Sequence, residues 1–273
     1  MAVNLASKYE KVLDQYFYHV SYTDAYVNKK YTFDGVKTVN VYTLTSQTPV
    51  DYNRALTGDR FGGHQEMQDV VTPYTLTNDK AFKIAIDKGN YEQSVFARNA
   101  GEALKIQMRE QIVPMIDKDR LAAVSAGATA ATQVVTSTAG AEYTATLNAN
   151  VYLDEAQAPL EGRVLAVSPA FYMGIKSQIT TTINASEYNT KLVGRGFVGE
   201  LDGVPVVKIP TSYFPTGVKA LIWHRDSLLG AKQIYSTRIK TDSELIDGAL
   251  LIGRFIFGSF VLAGKAKGVA AIK

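Results

Sequence analysis

The stretch LIDGALLIGRFIFGSFVLAGK, from Leu245 to Lys265, constrains the fold more than any other part of the chain. It is nearly all apolar, so the protein must bury it in itself or place it in lipid. A membrane-spanning helix needs about 20 predominantly apolar residues. Here Asp247 stands near the start and Arg254 near the middle, and an arginine at a helix centre costs roughly 2.5–3.5 kcal/mol to insert. Gly248, Gly253, Gly258 and Gly264 punctuate the run. At period two, Leu250, Ile252 and Ile256 fall on one side, with Leu251, Phe255, Phe257 and Val261 on the other. Both sides are apolar, which is the pattern of one or two strands covered on both faces and bent at Gly258. A membrane anchor is the weaker reading, and the stronger one demands something to cover the strands.

The rest of the chain offers candidates. Residues 1–30 carry Leu5, Tyr9, Val12, Leu13, Tyr16 and Val20 at helical spacing, with charges between them, and read as an amphipathic arm. Residues 34–48 alternate at Val36, Val39 and Val41 and read as a strand. Residues 70–87 read as a second strand, with Phe82, Ile84 and Ile86 on one face. TPVDYNRALTGDRFGGHQE lies between them, polar and rich in Gly, Asp and Arg. The region is therefore a long hairpin with a large tip. Such a hairpin is marginal without a third strand or a helix beneath it.

Residues 91–127 give the strongest helical pattern, through Phe96, Ala100, Ala103, Leu104, Met108, Val113, Ile116 and Leu121. As one helix they would run on the order of 50 Å, with Pro114 expected to kink or split it. Residues 128–146 are small, polar and turn-rich, a natural boundary. A mixed region follows: strand RVLAVSP at 163–169, a helix at 170–179 opened by Ser168 and Pro169, and strands at 202–210 and 218–224.

Chemistry-bearing motifs are scarce. GRGFVG at 194–199 matches a dinucleotide-binding pattern, but ELDGVPVVKIP follows where a helix would have to open. GSFVLAGKA at 258–266 has one residue too many before Gly-Lys for a P-loop, and Ala266 replaces the required Ser or Thr. The chain has no cysteine and only His19, His64 and His224, none at metal-ligand spacing. Asp117 and Asp119 are two apart on a helix and face different ways, as solvated or ion-paired groups rather than a dyad. No cofactor, metal or catalytic residue is expected. A formal net charge of +3 is too small to argue for nucleic acid by itself. Charges through MAVNLASKYEKVLDQYF exclude a signal peptide at that position.

The order of arm, long hairpin, long helix, α/β insertion and returning buried strands resembles the major capsid proteins of tailed bacteriophages. Encapsulin shells and herpesvirus capsid floors share that fold. The resemblance is carried, in order, by VDYNRALTG at 50–58, TLTNDKAFKIAID at 75–87, VPMIDKDRLAA at 113–123, PLEGRVLAVSPAFY at 159–172, VGELDGVPVVKIP at 198–210 and DGALLIGRFIFGSFVL at 247–262. It implies an α+β chain with an N-terminal arm at 1–33 and an extended β-hairpin loop at 34–90. A peripheral domain with a long spine helix would span 91–145, an inserted α/β axial domain 146–235, and strands returning to the peripheral domain 236–273. The spine helix would then be the cover that the apolar stretch demands.

The implied function is structural. Copies would assemble through pentamers and hexamers into an icosahedral virion shell around double-stranded DNA, in the host cytoplasm. Scaffolding and portal proteins would be partners, and DNA contact would be non-specific on the inner face. An encapsulin-like compartment is the alternative, and a nucleotide-dependent enzyme a distant third. The density of charge at the hairpin tip points to Asp51, Arg54, Asp59 and Arg60 as inter-subunit contacts, with Tyr52 and Phe61 beside them and Tyr9, Tyr16 and Phe17 in the arm. Some relatives carry a long N-terminal scaffolding segment; here the arm starts directly after Met1, so either scaffolding is a separate protein or the chain is a processed or engineered form. Some relatives crosslink a loop lysine to a peripheral-domain asparagine, but here there is no Lys between Ser46 and Asn78 and no Asn between Ile246 and Lys273. Particles dissolved in denaturant should therefore run as one band near 29.8 kDa on a gel; a ladder of covalent multimers would contradict this.

Overall fold

Three short apolar runs, RVLAV, ALIWH and VAAI, form the centre of the larger sheet. The computed structural model describes residues 20–31, 33, 37–46, 48–62, 66–87, 100–178, 196–240 and 248–273. Strands β1 (Thr38–Leu44), β2 (Asp69–Thr75) and β3 (Asn78–Asp87) come first. Helix α1 (Ala100–Gln107) leads through a π turn (Met108–Ile112) into α2 (Val113–Gly127). Strand β4 (Val134–Val135), helix α3 (Glu142–Glu155), β5 (Arg163–Val167) and helix α4 (Pro169–Gln178) follow. Strands β6 (Phe197–Leu201), β7 (Val204–Lys208), β8 (Ala220–His224), β9 (Leu228–Lys240), β10 (Gly248–Val261) and β11 (Val269–Ile272) complete the described elements.

The six-stranded sheet has the order β4-β11-β8-β5-β7-β6. Its central strands are apolar at consecutive positions because helices close both faces. On one face Val164, Ala166, Leu221, Trp223, Val269 and Ala271 pack against Leu121 and Val124 of α2. On the other, Leu165, Val167, Ala220, Ile222, Ala270 and Ile272 meet Ala145, Ala149 and Leu153 of α3 and Phe171 and Ile175 of α4. The chain's last strand, β11, lies in this sheet between β4 and β8, so residues from both sides of the α/β insertion share one core.

A second sheet has the order β3-β10-β9. Strand β10 holds most of the long apolar run, and it is one strand of 14 residues rather than two. Its irregularity is a register shift in its pairing with β9, between Arg254 and Phe255, not a bend at Gly258. One face is closed and the other is covered in part, since Leu250 is 4% exposed and Ile256 packs with Leu76, Leu229 and Ala231. Leu251, Gly253, Phe255 and Phe257 are buried, while Arg254 is exposed and Ile252 and Ile256 are half-buried. The closed face looks at α2: Asn78, opposite Phe257, donates to Asp119 Oδ1 at 2.8 Å. Gly253 leaves room for the ring of Phe82 across the strand pair, since a Cβ there would collide with that ring. Phe82 then stacks on Phe255 at 5.8 Å.

One expectation needs correction here. Residues 70–87 are not one strand: β2 pairs with β1, and β3 leaves after Leu76 to pair with β10 in the other sheet. The long helix is described from Ala100 onward and does not run as one α-helix: the π turn at Met108–Ile112 divides it just before Pro114. The proline sits in the first turn of α2, where no donor is needed, and the π turn before it absorbs the misfit.

Residues 20–31 form a strap with a single 3₁₀ turn at Asp24–Tyr26, while residues 1–19, which carry most of the helical spacing read as an arm, lie outside the described residues. Asp117 of α2 is 1% exposed and holds the strap with its carboxylate. It accepts from Ser21 Oγ at 2.7 Å, the Tyr22 amide at 2.9 Å and Thr23 Oγ1 at 2.5 Å. Arg120, equally buried, donates to Thr23 Oγ1 at 3.0 Å and pairs with Asp24 at 3.1 Å and Asp117 at 3.6 Å. Tyr22 then packs edge-on to Tyr213, and burial, with the negative charges of Tyr22 and Asp117, pushes the Tyr213 phenol up to about 12, so it is neutral at physiological pH. Further along, Trp223 Nε1 donates to the Tyr26 carbonyl at 2.9 Å, and Asn28 bridges to the start of β9. Gly230 allows this approach, since a Cβ there would meet Arg120 Nε at 3.0 Å.

Breaking one side of a buried ion pair costs about 3–5 kcal/mol. Arg120→Ala and Asp117→Ala should each lower the unfolding free energy of the unassembled subunit by that order in urea. Because the groups share one network, the double variant should lose less than the sum; strictly additive losses would show that the two groups act independently.

Candidate assembly surface

Strands β1 and β2 form a two-stranded ribbon, in register from Thr38 opposite Thr75 to Leu44 opposite Asp69. Its root is held by the body. Val41, Tyr74 and Leu76 pack with Phe33, Leu229, Ala231 and Leu262, and the Tyr74 hydroxyl accepts the Ala263 amide at 2.8 Å. Beyond the root, the described tip is folded mainly on itself. The Asn53 amide donates to the Arg60 carbonyl at 3.0 Å, and Asn53 Oδ1 accepts the Ala55 amide at 3.0 Å. Arg60 Nε donates to the Leu56 carbonyl at 2.7 Å. The rings of Tyr52 and Phe61 meet edge to face at 4.9 Å.

The ribbon exposes large apolar side chains along its length: Tyr42, Leu44, Val50, Leu56, Phe61, Met67, Val70 and Val71. Phe61 is 77% exposed and Met67 69%. Scattered apolar residues are normal on a surface, but a concentration on one projecting element marks an interaction site. Among the described residues, Asp51, Arg54, Asp59 and Arg60 make no ion pair within the chain, so their charges are available to a neighbour.

The structure thus places Asp51, Tyr52, Arg54, Asp59, Arg60 and Phe61 together on the exposed tip. Tyr9, Tyr16 and Phe17 lie outside the described residues. Sequence reasoning missed Val50, Leu56 and Met67, whose signal was apolar side chains inside an otherwise polar loop.

The other motifs of the sequence are described only in part. Gly196, at φ +83°, turns directly into strand β6, so no helix opens after the glycine-rich segment; Gly194 and Arg195 lie outside the described residues. His224 is engaged in a turn, its Nδ1 accepting the Asp226 amide at 3.1 Å and its Nε2 lying 2.9 Å from the Glu161 carbonyl. His19 and His64 lie outside the described residues. Among the described residues there is no cluster of three metal-ligating side chains, and no helix long and apolar enough to cross a membrane.

No protein-family model matches the sequence, and no curated protein does so either. Solved structures do. The capsid of cyanophage P-SCSP1u matches over 98% of this chain and 92% of its own, at 16% identity and a TM-score of 0.73. The capsid of Ralstonia phage GP4 matches over 98% and 94%, at 13% identity and a TM-score of 0.71. The head structure of Helicobacter pylori bacteriophage KHP40 matches over 98% and 94%, at 11% identity and a TM-score of 0.69.

The chain has the fold of tailed-phage capsid proteins. The capsid fold is matched over nearly the whole length of both partners, projecting ribbon included, although few residues are shared.

Exposed substitutions distant from special features change stability by about ±0.5 kcal/mol. Phe61→Ser with Met67→Ser, and separately Arg54→Ala with Arg60→Ala, should leave the urea midpoint of the subunit unchanged. Both should reduce self-association in sedimentation velocity, the arginine pair more strongly at low salt than at high salt. Normal association of both variants at every salt concentration would remove the tip from the interface.

Proposed function

We propose that the chain is the major capsid protein of a tailed bacteriophage, a structural subunit without catalytic activity. The observation that carries this reading is the near-complete, two-way match to solved phage capsid chains. An added catalytic domain would leave a large part of one chain unmatched. A genome shell is favoured over an encapsulin compartment because the matched structures are phage capsids and heads.

On this reading the ribbon at 34–90 is the extended loop that lies on a neighbouring subunit, and residues 1–33 are the arm. Residues 91–145 and 236–273 make the peripheral domain, and 146–235 the axial domain, whose loops meet at the capsomer centre. Copies assemble as pentamers and hexamers into an icosahedral shell, with scaffolding and portal proteins as partners and double-stranded DNA inside. Each subunit gives its loop to one neighbour and receives one from another, a heterologous contact that closes when the angles allow.

Sedimentation velocity of the untagged protein, with electron micrographs of the same sample, tests the proposal. Closed shells, or rings of five or six subunits, are expected. A subunit that stays monomeric at high concentration, alone and with the scaffolding protein of its own phage, would overturn it.

A further inference from the structure

The two long edges of the ribbon are not equivalent. At one end the Leu76 amide donates to the Lys37 carbonyl at 2.9 Å, and at the other the Thr45 amide donates to the Gln68 carbonyl at 3.0 Å. These bonds set the phase of the antiparallel ladder. Odd-numbered residues of β1 bond across to β2, while Thr38, Asn40, Tyr42 and Leu44 turn their amides and carbonyls outward. On β2 the outward positions are Asp69, Val71, Pro73 and Thr75. Pro73 has no amide to offer, so the row on β2 is broken in its middle. The row on β1 is unbroken, and among the described residues no strand pairs with it.

Edge strands normally carry charges, proline or a bulge that discourage a further strand. The other described edges of this chain do so. β2 has Asp69 and Pro73, and β3 has Asp79, Lys80, Lys83 and Asp87. β9 has Arg238 and Lys240, and β6 has Glu200 and a register shift beside Gly199. β4 is only two residues long. β1, with the sequence TVNVYTL, has no charge, no proline and no register shift. Its outward residues also share one exposed face. Tyr42 is 65% exposed and Leu44 68%, and exposed Val71 and Pro73 stand opposite Tyr42 and Asn40. A strand added to β1 would gain backbone bonds and apolar neighbours together.

The incoming strand must itself offer an unbroken, uncharged edge. Among the described edges, β1 alone meets that condition. A second β1 laid antiparallel about a two-fold axis at Val41 sets Asn40 opposite Tyr42 of the other copy, and Thr38 opposite Leu44. All four positions point outward, so donors meet acceptors along the whole strand without a shift. Their side chains fall on one face of the joined sheet, and no like charges meet across the axis.

We infer that two copies of this chain pair through the outer edges of their β1 strands, forming a continuous four-stranded sheet in the order β2-β1-β1-β2. The inference rests on the assembly reading for its setting. It adds a contact of a different kind from that at the tip: backbone hydrogen bonds along the shaft, isologous and closed with two copies.

The full chain without other proteins tests it. Asn40→Pro removes an outward donor and leaves the bonds to β2 in place, as Pro73 does on the other strand. It should keep the urea midpoint of wild type and weaken dimerisation in sedimentation velocity roughly tenfold or more, since each dimer loses two backbone bonds. Asp69→Pro, the same change on the β2 edge, should dimerise as wild type does. The chain has no cysteine, so engineered thiols report without background. Opposed residues in a hydrogen-bonded antiparallel pair lie about 5.5 Å apart at Cα, within disulfide reach. Asn40→Cys/Tyr42→Cys should give a dimer band on a non-reducing gel, and Asp69→Cys/Val71→Cys should not.

Normal dimerisation of Asn40→Pro would overturn the inference, and so would an Asn40→Cys/Tyr42→Cys chain that stays monomeric under oxidant. Equal losses from Asn40→Pro and Asp69→Pro would also overturn it, because the ribbon as a whole rather than one edge would then make the contact. Failure of the capsid reading is distinct: the β1 cysteines would crosslink while no shells or rings form. Shells that form without that crosslink would leave the capsid reading standing and remove this one.

Discussion

Asp117 and Arg120 hold the molecule's parts in one arrangement. Both sit one turn apart on α2, and that helix packs on both sheets, against β10 on one side and against β8 and β11 on the other. Their side chains are spent on residues 21–24, which would otherwise have no reason to cross the helix. From there the strap runs over Trp223, joins β9 at Asn28 and delivers Phe33 to the core at the ribbon's root. One buried pair therefore fixes the course of residues 21–24 and influences where the ribbon starts. An apolar pair of similar volume would serve stability as well or better. The ionic version adds direction, since a carboxylate with three donors accepts only one path of the strap.

The parts legible in the sequence were those whose burial is written in side-chain size. VLAV, ALIW and the run around Phe255 could be placed because consecutive apolar residues have few other uses. Helix α3 was not legible for the opposite reason. Its buried face is Ala145, Thr146, Ala149, Asn150 and Leu153, small or polar groups that leave no apolar stripe. Asn150 is buried there to receive Arg163 Nη1 at 2.6 Å and to donate to Asp202 at 2.8 Å. Arg163, 1% exposed, also donates to the Pro159 carbonyl and pairs with Asp154. Polar partners separated by many residues replace the hydrophobic signal, and periodicity cannot see them. The break between β2 and β3 was hidden similarly, because alternation continues through Leu76 while the partner strand changes.

The assembly surface divides along the same line. Charges packed into a short loop stand out in a sequence, so Asp51, Arg54, Asp59 and Arg60 could be named as candidates from spacing alone. The apolar residues of the ribbon could not, because Leu44 or Met67 in a sequence reads as core until the structure shows nothing covering it.

The ribbon is unfavourable for a subunit that stays alone. Exposed Phe61 and Met67 forgo roughly 1.5–3 kcal/mol each that burial would contribute. An isolated two-stranded ribbon adds little stability of its own. A folded monomer could reduce both costs by shortening the ribbon. That it keeps an exposed apolar ribbon is intelligible when those side chains are buried on a neighbour, a contact of a kind that depends little on salt.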